Sequence, residues 1–166
     1  KGRRIILAEA AALNDIDVIF DIYNECVKKL DERGIYQWDN IYPDYNTIKN
    51  DIELGQMYII RNFGDILACG VINDDTEGYE NGRFSEESFK VIHRLCVKTN
   101  VQGSGLGVRM LEELEKIIFD MGVKSIRLDV FPQNMAAINL YAHRGYKEVG
   151  SAFYRKGRFI LMEKIF

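Results

Sequence analysis

The amino-acid sequence predicts one α+β domain, with a central mixed, mostly antiparallel sheet flanked by about four helices. Three observations carry this. At 166 residues the chain is long enough for a substantial core and short for two domains. Its composition, 47% hydrophobic and 28% charged, is that of an ordinary globular protein. The apolar spacing switches along the chain between a strand period and a helix period, in the order β-α-α-β-β-β-α-β-α-β with a further strand open at the end. There is no repeat, low-complexity tract or linker, so residues 1–166 are assigned to the one domain.

Each element has its own local reason. Residues 3–9 are rich in Ile and Leu and read as a short strand. Asn14 is suited to cap a helix on which Ile16, Ile19, Phe20, Tyr23, Cys26, Val27 and Leu30 trace one face, and Gly34 stops it. An aromatic loop over residues 35–43 holds the single tryptophan, Trp38. Ile48 and Ile52 then mark a short helix ending at Gly55. Residues 57–61 and 66–73 are β-prone runs around Asn62-Phe63-Gly64-Asp65, a hairpin signal. Residues 74–88 are polar and acidic and read as a solvated loop, and residues 89–97 read as a third central strand. From 105 to 121, Met110, Leu111, Leu114, Ile117, Ile118 and Met121 form one helical face, with the Glu112/Lys116 pair on the other. Residues 125–130 are a strand, residues 134–144 a short helix closed by Gly145, and residues 152–166 one or two final strands.

Composition also excludes function classes. A net charge of −3 supplies no positive field for nucleic acid, and no apolar run approaches the ~20 residues that span a bilayer. The basic start has an apolar run too short for a signal peptide. Cys26, Cys69 and Cys96 are odd in number and irregular in spacing, which points to a reducing, cytoplasmic setting rather than a disulfide framework. With only two histidines and no paired-ligand spacing, no metal site is expected.

The chemistry concentrates at Gln102-Gly103-Ser104-Gly105-Leu106-Gly107, between a strand and an amphipathic helix. Glycines let a backbone approach a ligand closely, and the first turn of a helix offers unpaired N–H groups and a positive dipole end. Together these form a pyrophosphate cradle that needs no lysine. A P-loop requires Gly-Lys-Ser/Thr, and Gly107 is followed by Val108. A dinucleotide fingerprint aligns Gly103 and Gly105, with Asp129 as the ribose-binding acid, but Val108 occupies the third glycine's place. The hairpin-rich first half also lacks the repeated parallel βαβ units of that fold, so dinucleotide binding is the runner-up.

Gln102-x-x-Gly105-x-Gly107 resembles the acetyl-CoA signature of the GNAT superfamily of N-acetyltransferases. Asn134-x-x-Ala137-x-x-Leu140-Tyr141-x-x-x-Gly145-Tyr146 is similar to that family's next helix and the strand after it. The resemblance implies that the amides from Gln102 to Gly107 (Gly103, Ser104, Gly105 and Leu106 between them) hold the CoA pyrophosphate. It implies a pantetheine arm beside the strand ending Leu95-Cys96-Val97, which diverges from the strand over 125–130, with the Val97 N–H as an oxyanion donor. Asn134 and Ala137 fall at the pantetheine or acetyl end, and Tyr141 is the catalytic residue, donating to the leaving thiolate. CoA is then the product.

No residue supplies the base so clearly. His93 lies on the right strand, where a structural role competes, and that strand lacks the glutamate frequent in the family. A His93/Cys96 dyad is discounted because residues three apart on a regular strand face opposite ways. His143, in the last turn of its helix, is read as structural. Tyr36, Trp38 and Tyr42 can wall an acceptor pocket, since aromatic rings attract cationic amines. The acidic residues of 74–88 either steer a basic substrate or form a solvated surface. A small primary amine is the first expectation for the acceptor, and a protein N-terminus or lysine the second. The competing class is a regulatory module that binds CoA without turnover. The resemblance leaves a homodimer open.

Overall fold

A computed structural model describes residues 6–166. Seven strands form one sheet: β1 (Ala8–Ala10), β2 (Met57–Asn62), β3 (Asp65–Asn73), β4 (Phe89–Val97), β5 (Ser125–Val130), β6 (Lys147–Tyr154) and β7 (Gly157–Ile165), in the spatial order β1-β2-β3-β4-β5-β7-β6. All neighbours are antiparallel except β4 and β5. Four α-helices accompany them among the described residues: α1 (Ile16–Glu32), α2 (Tyr45–Glu53), α3 (Leu106–Asp120) and α4 (Met135–His143). None is long and apolar enough to cross a membrane.

Period-two alternation divides the core. Ile59, Cys69, Val71 and Cys96 face α1 and α2, where Ile19, Tyr23, Cys26 and Ile48 are buried. Ile60, Ala68, Ile72 and Ile92 face the other way, onto Met110, Leu111, Leu114 and Ile118 of α3. At Gly70 the α3 helix lies so close that a Cβ would come within 2.7 Å of Leu114 Cδ1. The β2–β3 turn carries positive φ at both Phe63 and Gly64, the geometry whose twist matches a two-residue hairpin.

Several local expectations need correction. Of the strand expected over residues 3–9, only its end is seen, and residues 3–5 lie outside the described residues. Asn14 does not cap α1; it sits inside a 3₁₀ turn over Leu13–Asp15, whose Asp15 carboxylate accepts from the Ala12 N–H instead. The last region forms two strands, the first starting at Lys147, before residue 152. The 74–88 loop is fastened rather than solvated. Tyr79 is buried, Glu163 accepts from the Ser85 and Glu86 amides, and Arg127 stacks between Phe84 and Phe89. The cysteines converge, with Cys69 opposite Cys96 in register and all three buried on the α1 face.

The feature that organises the site is a parting of the sheet. β4 and β5 pair only at Phe89↔Ser125, Lys90↔Ile126 and Val91↔Arg127. Beyond these positions β4 stays with β3 as far as Val97, and β5 stays with β7 as far as Val130, so the two halves open as a wedge. Within the wedge β4 carries a bulge. Its register with β3 runs Val71↔His93 and then Cys69↔Cys96, and Arg94 takes up the extra residue at φ 52°. The inserted residue flips the alternation. His93 and Cys96 therefore lie on the same sheet face, not on opposite faces.

Candidate active site

The cradle loop is built as its glycines require. Gly103 and Gly105 adopt φ of 82° and 83°, and Gly105 is the N-cap of α3. A Cβ at either would meet no atom within 4 Å, so the space beside the loop is open. Among the described residues, the amides of 103–108 have no protein acceptor, and the first bond of α3 is Arg109 N–H to the Gly105 carbonyl. Gln102 differs from expectation, because its N–H closes a turn on the Thr99 carbonyl at 3.5 Å. Its side chain instead donates to the Val97 carbonyl at 3.0 Å, clipping the loop to the end of β4. Ser104 Oγ donates to the Val101 carbonyl. The open set thus begins at Gly103.

From the cradle the wedge leads into a cavity of about 1020 Å³. Leu95 lines it, whereas the Cys96 side chain is buried on the α1 face, where desolvation pushes its thiol up. The Lys98 N–H donates to Leu67 of β3, so by alternation the Val97 N–H turns away from β3 and into the wedge. On the far wall stand the start of α4 and Tyr141. Asn134 Oδ1 caps α4 through the Ala137 N–H at 3.1 Å, and its Nδ2 donates to Gln37 at 2.8 Å, so both ends of the amide are engaged. Ala137 and Tyr141 line the cavity. Burial, with Asp129 nearby, raises the Tyr141 phenol above its usual range and keeps it protonated.

The acceptor-side candidates separate. Trp38 packs edge-on against Tyr23 at 5.8 Å and lines the cavity, as do Tyr42 and His93. Tyr36 is 57% exposed and lies outside the cavity wall. The Tyr42 hydroxyl accepts from Arg94 Nη1 at 2.7 Å. Burial pushes the His93 imidazole down to about 4, and its Nε2–H donates to the Asp75 carbonyl at 3.2 Å. It is neutral near pH 7.

Three groupings went unread in the sequence. Arg94, at the bulge, forms a two-pronged pair with Asp51 of α2, at 2.8 and 2.7 Å, with side chains only 9% and 4% exposed. Asp39 holds Arg155 and Lys156 from the β6–β7 turn at 2.8 and 3.1 Å, which drives its carboxyl well below the usual range. Asp129 accepts from Tyr79 at 2.6 Å. Only the last left a trace: Arg127 and Asp129 place charge on one face of the strand read over residues 125–130.

A mixed sheet that parts beside a glycine cradle, with a tyrosine across the gap, defines the class. The chain matches the model of the acetyltransferase (GNAT) family over residues 16–146 and belongs to that family; it is an acetyltransferase. Among curated proteins it is 24% identical over 146 residues to the uncharacterized N-acetyltransferase YesJ of Bacillus subtilis, covering 85% of this chain and 81% of YesJ. Among solved structures, a GNAT family acetyltransferase of Streptococcus agalactiae superposes with a TM-score of 0.86 at 21% identity, over 97% of this chain and 95% of that one. The aminoglycoside acetyltransferase AAC(6')-Ib, solved with coenzyme A and kanamycin, superposes with a TM-score of 0.73 at 19% identity, over 97% and 95% of the two chains.

Proposed function

We propose that this protein moves the acetyl group of acetyl-CoA directly to a primary amine in the cytoplasm, a small molecule in preference to a protein N-terminus or lysine. The observation that carries the reading is the wedge: six open amides at its mouth, an unpaired β4 edge along it, and Tyr141 in its wall. Acetyl-CoA supplies the activated thioester. The chain's own groups do the rest. The amides of 103–108 bind the pyrophosphate, the β4 edge around Leu95–Val97 aligns the arm, and the Val97 N–H polarises the carbonyl oxygen. Tyr141, kept protonated by its burial, hydrogen-bonds the departing sulfur.

The acceptor end supports a cationic amine. Asp75, Glu77 and Asp129 line it together with Trp38, Tyr42 and Tyr154. The kanamycin complex of AAC(6')-Ib shows the same fold accommodating an amine-bearing small molecule. Incubation with acetyl-CoA and a panel of amines, monitored by free thiol, tests the reading. Turnover on a small alkylamine is expected. CoA binding with no turnover on any amine would instead identify a regulatory module, and stabilisation by NADH but not CoA would remove the reading altogether.

A further inference from the structure

We propose that Asp129 is the base that takes the proton from the acceptor amine, and that Tyr79, reaching over from the 74–88 loop, positions it. This rests on the acetyl transfer proposed above. Val91↔Arg127 is the last pair before the sheet parts, so the next residues on the same face are His93 on one lip of the wedge and Asp129 on the other. Both line the cavity. Asp129 therefore stands where the open strands begin to separate, on the acceptor face, with Tyr141 reaching the same cavity from α4.

The carboxylate is held and left half open. Tyr79, itself buried, donates to Oδ2 at 2.6 Å, while Oδ1 has no hydrogen-bond partner among the described residues. The other carboxylates of the wall are engaged or peripheral. Asp51 is bound by Arg94, Asp44 caps α2, and Asp74 pairs with Lys90. Asp75 accepts from the Glu77 amide, and both Asp75 and Glu77 are exposed at the rim on the 74–88 loop. His93 spends its Nε2–H on the Asp75 carbonyl. Desolvation raises the Asp129 carboxyl, which brings it nearer to working pH and makes it a stronger base than an exposed aspartate.

The protons balance. An alkylammonium acceptor gives one N–H proton to Asp129 Oδ1, which releases it to solvent. Its lone pair then forms the C–N bond as the C–S bond breaks. The second N–H proton, lost as the amide forms, ends on the CoA sulfur by way of the Tyr141 hydroxyl. The products are amide, thiol and one free proton.

The test uses the full chain with acetyl-CoA and two acceptor classes: alkylamines, protonated at assay pH, and arylamines, already neutral. Asp129→Asn should lower kcat/KM on alkylamines by about 100-fold or more, and on arylamines by less than about tenfold, with CoA affinity by calorimetry unchanged. The groups facing Asp129 are Tyr79 and Asp75 from the loop, His93 and Arg94 from β4, Tyr42, Tyr141 and Tyr154. Of these, the Tyr79 hydrogen bond favours the charged carboxylate, so Tyr79→Phe should move the acid limb of kcat/KM to higher pH. Equal losses on both acceptor classes, or none, would overturn the assignment of Asp129. A limb unmoved by Tyr79→Phe would overturn the role of Tyr79, and would decide against the pair if Asp129→Asn did not fold. A wild-type protein silent on every amine would sink the underlying function instead, a result distinct from an active enzyme indifferent to Asp129.

Discussion

Replacing Asp51 with Asn removes one negative charge and almost no volume from the floor of the cavity. Arg94 keeps its charge in either case, because a guanidinium does not deprotonate in a protein. In the native protein its Nε and Nη2 meet the two Asp51 oxygens at 2.8 and 2.7 Å, in a setting where both side chains are nearly inaccessible. Removing one partner of such a buried pair leaves an uncompensated charge and costs about 3–5 kcal/mol. For a domain of this size that corresponds to a fall of roughly 6–20 °C in Tm. Urea unfolding followed by the fluorescence of Trp38, the single tryptophan, which packs on Tyr23 beside this pair, measures the loss directly. Arg94→Met combined with Asp51→Asn removes the pair as a unit and should be no worse than Asp51→Asn alone. A single-variant cost below about 1 kcal/mol, or a double variant equal to the sum of the singles, would refute the reasoning.

The other expectations concern catalysis, pH and the cradle. Tyr141→Phe should reduce kcat by about 100-fold and leave CoA affinity intact in calorimetry; an undiminished rate would take the phenol out of the reaction. His93 is depressed to about 4 from an unfolded value near 6.5, so the unfolded chain binds the extra proton first. Stability is then complete above pH ~6.5 and falls as pH drops toward 4, by about 2 kcal/mol given the partial exposure of His93. His93→Gln should flatten that slope in urea titrations at stepped pH, and an unchanged slope would assign it elsewhere. Gly105→Ala forces a Cβ into φ 83° with nothing nearby to clash with, so the cost is torsional alone, about 1–2 kcal/mol. A negligible change in the unfolding midpoint would mean that the loop holds another conformation in solution.

How much of this was legible in the sequence depended on how local each cause is. The α1 face, the Gly34 and Gly145 stops, the 62–65 hairpin and the α3 stripe from Met110 to Ile118 all follow from spacing within a turn or two, and the structure reproduces them. Met121, read as the end of that stripe, instead caps α3 and is exposed. The parting of β4 from β5 came through the family resemblance and not through any residue pattern. The bulge was invisible because Arg94, an ordinary strand residue by type, takes a positive φ that its partners Asp51 and Tyr42 support from 43 and 52 residues away. The same holds for Asp129. Its neighbour Tyr79 lies 50 residues earlier, in a stretch whose acidic composition disguised a buried tyrosine stacked on Phe84.

The wedge has a further consequence, for association between copies. Unpaired strand edges normally lie at the border of a sheet, where they invite a foreign strand to add and aggregation to begin. This fold places two such edges at the centre of its sheet. They converge at Val91 and Arg127, so a visiting strand that entered the mouth would run into a closed apex after a few residues. Because the gap is closed at that apex, its two open edges leave no long free border at the centre of the sheet for another chain to extend.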